Sequence, residues 1–188
     1  MDKGARIRAY DEGPVAADRA DRAATFEALA GRHLDASYRL ARLILSDPID
    51  AEDATHDAFI AAWRGWSQLR EPDHFEAWFG RILVNTCRNR LRKAHRQTVV
   101  DLSGLLELAD RGPNLQDSAI DRIELERAFA SLSPDHRIVL ALRFYSDLSI
   151  EQIAARLAVR SGTVKSRLHH ALRALNAVLQ AGRREDRR

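Results

Sequence analysis

A single cysteine in 188 residues, Cys87, excludes an intramolecular disulfide and leaves no second thiolate for a cysteine-based zinc site. It is expected to fill space in a core. Long apolar runs are also lacking: none approaches the length of a bilayer span, so membrane insertion is not expected. The opening stretch MDKGARIRAYDEGPVAADRADRAA has no continuous apolar centre of the kind a signal peptide needs, which predicts a cytoplasmic chain with a disordered extension over residues 1–22. Strand signals are missing too, because Val/Ile/Thr runs bounded by glycine do not occur. Net charge is small, +3, and by itself selects no partner. What is present, 45% hydrophobic and 30% charged residues, suffices for folding, and the length leaves room for two small domains.

The arrangement of charge says more than its sum. Between Arg42 and Arg64 there is no Lys or Arg, while Asp47, Asp50, Glu52, Asp53 and Asp57 all fall there. Between Glu76 and Asp101 there is no acidic residue, while Arg81, Arg88, Arg90, Arg92, Lys93 and Arg96 are present. The first block repels phosphates and asks for a basic or amide-rich protein partner; the second is a candidate anion-binding surface.

Helical spacing dominates from about residue 24 and predicts an all-α protein. Phe26, Leu29, Leu34, Tyr38, Ala41 and Ile44 give one apolar face to a first helix that should stop before Pro48. Asp50, with Asp53 three residues on, looks like the N-cap of a second helix carrying Ala54, Ala58 and Ala62 as a close-packing stripe. After the loop SQLREPDH, a third helix from about Asp73 to Arg96 is core in its first half, through Phe75, Trp78, Phe79, Ile82 and Leu83. Beyond Val84 it becomes a polar arm, with Asn85, Arg88 or Asn89, Arg92 and Arg96 on one face. Residues 97–119 lose the period and hold Gly104, Gly112, Pro113 and four acids, which reads as a linker; VVDLSGLLEL within it could form a short helix or a docking segment. Helical spacing then resumes through Ile120, Ile123, Ala128, Phe129 and Leu132. Ser133-Pro134 caps a helix to about Tyr145, and Ser149 with Gln152 forms a capping box for a short helix to Leu157. A turn, Ala158-Val159-Arg160, leads to a helix that Ser161 can cap, with Val164, Leu168, Ala171, Leu172, Leu175 and Val178 inward.

These last elements form a helix-turn-helix, and subtracting the inward positions leaves Ser161, Thr163, Lys165, Ser166, Arg167, His169, His170 and Arg173 for a major groove. In the polar arm, Asn85 and Asn89 add amides able to read a base edge to the arginines around them. Trp63, Trp66 and Trp78 could stack exposed bases; Trp78 has core spacing, and Trp66, beside the loop, stays open. Asp53-x-x-His56 and Glu71-x-x-His74 match the acid-x-x-His spacing of di-iron bundles, but Pro72 breaks the second copy and the further glutamates are missing. No metal, cofactor or catalytic residue is therefore expected.

DAEDATHDAFIAAWR, FEAWFGRILVNTCRNRLRKAHR and LSIEQIAARLAVRSGTVKSRLHHALRAL resemble, in that order, the signature blocks of extracytoplasmic-function (ECF, group 4) sigma factors of bacterial RNA polymerase. The resemblance covers nearly all of residues 24 to 180. It implies a non-enzymatic chain that binds core polymerase and directs promoter recognition, melting and initiation. It also implies a region 2 domain at 23–96, a linker at 97–119, a region 4 domain at 120–182 and a basic tail at 183–188. Asp50, Glu52, Asp53, His56 and Asp57 would dock on the clamp of the largest polymerase subunit. Leu69, Asn85, Arg88, Asn89, Arg92 and Arg96 would meet the minus-ten element, with a flipped base captured by Leu69, Asn85 and Asn89. Ser161, Thr163, Lys165, Ser166, Arg167, His169 and His170 would meet the minus-thirty-five element. An anti-sigma factor is a further expected partner. A stand-alone helix-turn-helix regulator is the nearest alternative, and a metal-dependent bundle enzyme a more distant one.

The sequence departs from the family pattern at four places. His56 stands where Gln is usual, Leu69 where an aromatic is common, Ala158 where the turn often has Gly, and His170 where Arg is frequent. Ala158 implies either a turn without positive φ or local strain. His170→Arg is expected to tighten minus-thirty-five binding; an unchanged affinity at fixed salt would show that this side chain does not touch DNA.

Overall fold

The computed structural model describes residues 14–101 and 117–185, and all the regular structure among them is helical. Helix α1, Pro14–Leu45, starts about ten residues earlier than its apolar period suggested, and it ends short of Pro48 as expected. Its inward line runs through Leu29, His33, Ser37, Leu40 and Ile44. Leu34, expected in the core, is 49% exposed, because it sits about 100° around the helix from His33, whose ring packs 5.3 Å from Phe75.

Helix α2, Pro48–Arg64, is capped by Asp47 rather than Asp50: the Asp47 carboxylate accepts from the backbone N–H groups of Ile49 and Asp50 at 2.8 and 2.9 Å. Pro48 supplies the reason, since proline at the first helical position moves the cap one residue before it. The alanine stripe is as expected and longer, with Ala51, Ala54, Ala58 and Ala62 fully buried. Helix α3, Phe75–Asp101, follows two single 3-10 turns, Trp66–Gln68 and Pro72–His74, and runs five residues past Arg96. Phe75 is the centre of this bundle. Its ring stacks on Phe79 at 5.4 Å and meets the Phe26 and Trp66 edges at 6.1 and 6.0 Å. Trp66, left open by the sequence, is therefore core, whereas Trp63 is half exposed and touches Phe26 edge-on at 5.1 Å. Cys87 is buried and free, as expected of a filler.

Residues 1–13 and 102–116 lie outside the described residues, and with them most of the expected N-terminal extension and of the segment 99–108. Helix α4, Asp117–Ala130, starts three residues ahead of its expected place. Ser133 and Pro134 open α5, Pro134–Leu140, with the Ser133 hydroxyl accepting from the His136 N–H. The expected continuation to Tyr145 is a wider turn, Ala141–Tyr145, closed by the Ser146 N–H donating to the Ala141 carbonyl at 3.2 Å. That five-residue step is a π-type bulge at a helix end. The capping box of α6, Ile150–Leu157, has both its bonds, Ser149 N–H to Gln152 Oε1 at 2.8 Å and Gln152 N–H to Ser149 Oγ at 3.2 Å.

Helix α7, Ser161–Glu185, opens at Ser161 itself, so Ser161 is its first residue rather than its cap. Val164 and Ala171 are fully buried and Leu168 and Leu175 half-buried, but Leu172 and Val178, expected inward, are each 40% exposed. Between α6 and α7 the Val159 N–H donates to the Ala154 carbonyl and the Ala158 N–H to the Ala155 carbonyl, a Schellman closure. Ala158 takes φ 54° to make it, so of the two alternatives the strained turn is the one adopted. An alanine held left-handed costs about 1–2 kcal/mol that glycine escapes, offset in part by the looser unfolded chain of glycine. Ala158→Gly is expected to raise stability by roughly 0.5–1 kcal/mol in thermal or urea unfolding. A drop in stability would show that the turn is not strained.

Candidate nucleic-acid interface

Because α2 turns its alanines inward, its other face is free for charge. Asp50, Asp53 and Asp57 follow one another at three- and four-residue steps, and they, Glu52 and His56 are all exposed. Arg90 reaches over from α3 to this row: its guanidinium lies 2.5 Å from Asp57, 3.5 Å from Asp53 and 3.6 Å from Asp50. Partial burial works against the Arg90 charge, but the hydrogen bond to Asp57 and the charges of Asp57, Asp53 and Asp50 outweigh it and hold its pKa above the usual value. This revises the sequence reading, which placed Arg90 in the anion-binding block. It belongs to the acidic face, where four carboxylates against one guanidinium still leave a negative surface.

The polar arm of α3 does form one surface. Asn85, Asn89, Arg92 and Lys93 are exposed, whereas Arg88 is half-buried with Nε 3.7 Å from the Asp135 carboxylate. Burial first, and then the charges of Arg167 and Arg92, lower the Arg88 pKa against the pull of Asp135. Arg96 lies on the same helix, beyond its last described side chains. Leu69 is half-buried and packs on the core directly after the Trp66 turn, near the start of the loop that leads to α3. Arg81, on the core half of α3, donates instead to the Ala155 carbonyl at 3.2 Å.

On α7, Thr163, Lys165, Ser166, His169 and His170 are exposed, with the two imidazole rings edge-to-face at 5.5 Å. Thr163, Ser166 and His170 share one exposed face at three- and four-residue steps, turned away from buried Val164 and Ala171. Ser161 and Arg167 are half-buried, and Arg167 donates toward Asp135 at 2.8 Å. Two exposed donor-rich surfaces, one on α3 and one on the second helix of a helix-turn-helix, can hold phosphates and read base edges. The acid-x-x-His pairs come to nothing more than local contacts: Glu71 sits 3.3 Å from His74 on its 3-10 turn, while Asp53 and His56 face outward on α2. Among the described residues, no group of three or more His, Cys, Asp or Glu stands close enough to hold a metal ion.

Asp135, Arg137, Arg156 and Gly80 were missed by sequence reasoning. Arg137 is 8% exposed and donates to the carbonyls of Ile44, Ala130 and Leu132 at 2.9, 2.6 and 3.3 Å, tying the end of α1 to the α4–α5 turn. Burial lowers its pKa. The only sequence signal was an arginine beside the apolar run Ile138–Val139–Leu140, which periodicity alone does not interpret.

Two helical regions, the second a helix-turn-helix, define a sigma-70-type architecture. The profile of Sigma-70 region 2 matches residues 29–97 and that of Sigma-70 region 4 matches residues 122–175. The ECF RNA polymerase sigma factor SigL of Mycobacterium tuberculosis is 34% identical over 162 residues, 84% of this chain and 90% of the relative. SigM of the same species is 33% identical over 168 residues, 89% and 84%. The RNA polymerase sigma-E factor of Streptomyces coelicolor is 32% identical over 156 residues, 83% and 86%. Among solved structures, the sigma factor RpoE of Bartonella quintana, in complex with the anti-sigma factor NepR, matches with TM-score 0.66 and 27% identity over 82% of this chain and 96% of that one. CnrH in complex with the cytosolic domain of CnrY matches with TM-score 0.60 and 25% identity over 88% and 98%. The chain belongs to the ECF RNA polymerase sigma factors, a family of transcription-initiation factors that are not enzymes. It thus directs transcription initiation, and the match over both regions sets aside the stand-alone regulator.

Arg90→Met tests the acidic row, because it leaves Asp50, Asp53 and Asp57 facing one another without a cation. Part-exposed pairs of this kind contribute about 0.2–1 kcal/mol each, so a loss of roughly 1 kcal/mol is expected at low salt, shrinking at high salt. A loss that salt leaves unchanged would point to lost packing of the arginine stem instead.

Proposed function

We propose that this chain works as a group 4 sigma factor in the cytoplasm, binding without chemistry of its own, through three surfaces of separate charge. The exposed carboxylates of α2, Asp50, Glu52, Asp53 and Asp57, with His56, dock on the clamp of the largest polymerase subunit. Leu69, Asn85, Arg88, Asn89, Arg92 and Arg96 meet the minus-ten element, and the two asparagines, both exposed, are the base readers. Ser161, Thr163, Lys165, Ser166, Arg167, His169 and His170 meet the minus-thirty-five element. The domain bounds that go with this are 23–96 and 120–182, joined by 97–119, with a basic tail at 183–188.

The observation that carries the reading is the opposition of sign on neighbouring helices: α2 exposes carboxylates, while the arm of α3 and the start of α7 expose amides, hydroxyls and cations. One surface suited to both protein and DNA would mix these groups, and a negative face this close to a duplex is repelled. Among the described residues no helix is long and apolar enough to cross a membrane. An anti-sigma factor is a further partner, since the RpoE structure of Bartonella quintana was solved with the anti-sigma factor NepR. A groove between α1 and the C-terminal domain suits an apolar helix face of such a protein: Leu43, Leu125, Phe129, Phe144, Tyr145 and Leu172 line it, and Phe144 is 67% exposed.

The test is transcription reconstituted from core polymerase, this chain and fragmented genomic DNA. Reproducible starts that share two spaced elements are expected. Asp53→Lys should abolish capture of core polymerase with the helical spectrum unchanged. Lys165→Ala should keep that capture yet weaken binding at the upstream element and reduce the salt slope by about one ion. Starts identical to those of core alone would end the proposal.

A further inference from the structure

Arg90 belongs to the basic run of α3 but turns toward α2, where its fork bridges the whole row of aspartates. One of its terminal nitrogens, Nη1, lies 3.6 Å from Asp50 Oδ1 and 3.5 Å from Asp53 Oδ2; the other, Nη2, donates to Asp57 Oδ2 at 2.5 Å. Asp50 and Asp57 stand two helical turns apart, about 10 Å along the axis, so both ends of the row lean toward one guanidinium. The arginine side chain is 26% exposed and the three carboxylates 53%, 61% and 54%. Arg90 therefore sits beneath the row. Each contact uses a single oxygen of its carboxylate, which leaves the outer oxygen for a partner.

Both ends of this bridge stand on packed backbone. Ala51, Ala54, Ala58 and Ala62 hold α2 from the other side, the Phe59 ring of α2 stacks on Phe79 of α3 at 4.4 Å, and Leu83, Val84 and Cys87 are buried in the turns of α3 that lead to Arg90. The distance the arginine must reach is thus fixed before any partner arrives. Without the guanidinium, three like charges at three- and four-residue steps repel one another on an open face, and each side chain is free to rotate away. With it, the row is ordered, and three carboxylates against one cation still leave two negative charges. Order set in advance lowers the entropy cost of docking, while the surviving charge draws a basic partner.

We infer that Arg90 is a positioning residue for the capture of core polymerase: it presets Asp50, Asp53 and Asp57 in the arrangement that the polymerase meets, acting through them rather than by its own contact. This rests on the docking role proposed above for those carboxylates. A cation arriving from solvent meets the outer oxygens and leaves Arg90 in place, so docking adds a second cation to the row instead of exchanging one for another. The effect falls on the lifetime of the complex, because encounter follows net charge whereas dissociation follows how well the contacts fit.

The test times association and dissociation of the full chain on immobilised core polymerase, for wild type, Arg90→Met, Arg90→Lys and Asp53→Lys. Arg90→Met keeps the length of the stem and removes the cation. It should leave the polymerase about threefold to tenfold faster than wild type, with an association rate that is unchanged or slightly higher, since the row then carries one more uncompensated charge. Arg90→Lys restores the charge without the fork and should fall between the two. Damage to the fold alone would reduce the amount of chain that binds and leave the dissociation of the bound chain as it was. Wild-type dissociation of Arg90→Met, whatever the amount bound, therefore overturns the positioning role. Slower dissociation overturns it as well, because Arg90 would then be a competitor for the row. Should Arg90→Met bind too little to time, Arg90→Lys decides by the same criterion. Asp53→Lys separates the two claims: if it abolishes capture while the Arg90 variants behave as wild type, the row docks the polymerase and only the part given to Arg90 fails. Capture of Asp53→Lys as strong as wild type overturns the docking role of the row, and the positioning role with it.

Discussion

The four alanines that α2 turns inward, Ala51, Ala54, Ala58 and Ala62, have no accessible surface, and α1 and α3 close on the helix there. Side chains this small let α1 and α3 pack close against the α2 backbone, and Phe59 of α2 adds a ring stacked on Phe79 at 4.4 Å. The opposite face is then released from any packing duty and can consist of carboxylates. A larger residue at Ala54 or Ala58 would push α2 outward and move the acidic row relative to Arg90. Docking chemistry on one side of this helix thus depends on methyl groups on the other.

Arginine plays three distinct parts in the molecule, and burial separates them. Arg92 is exposed and available to phosphates. Arg90 is half-buried and organises the carboxylates of α2. Arg137 is buried and serves as a cap for backbone carbonyls at helix ends, where the partial negative charge of the helix favours a cation. The planar guanidinium, with five donors in a fixed fork, suits each part, and a lysine at Arg137 would leave some of those carbonyls unpaired.

Much of this was legible beforehand. The helices, the alanine stripe, the Ser149 capping box and the segregation of charge between residues 47–57 and 81–96 follow from spacing and composition, because each depends on residues near one another in the chain. The misplacements were local competitions: Pro48 moved a cap from Asp50 to Asp47, and a π-type bulge at Ala141–Tyr145 ended a helix whose apolar pattern ran on. Leu172, expected inward, lines the groove beside α1 instead, because the position it faces is supplied by a helix more than a hundred residues away.

By itself, the sequence determined which surfaces exist: helix periodicity sorts inward from outward positions, and charge of one sign accumulates on one face whether or not the fold is known. Only the tertiary structure decided which of those charges are free. Arg88, Arg90, Arg92 and Arg96 belong to one basic run of the sequence, yet contact with Asp135 or with Asp50, Asp53 and Asp57 separates the first two from Arg92. Coulomb attraction acts through space at a few ångströms, and the partners that satisfy it are brought near by packing, not by position along the chain.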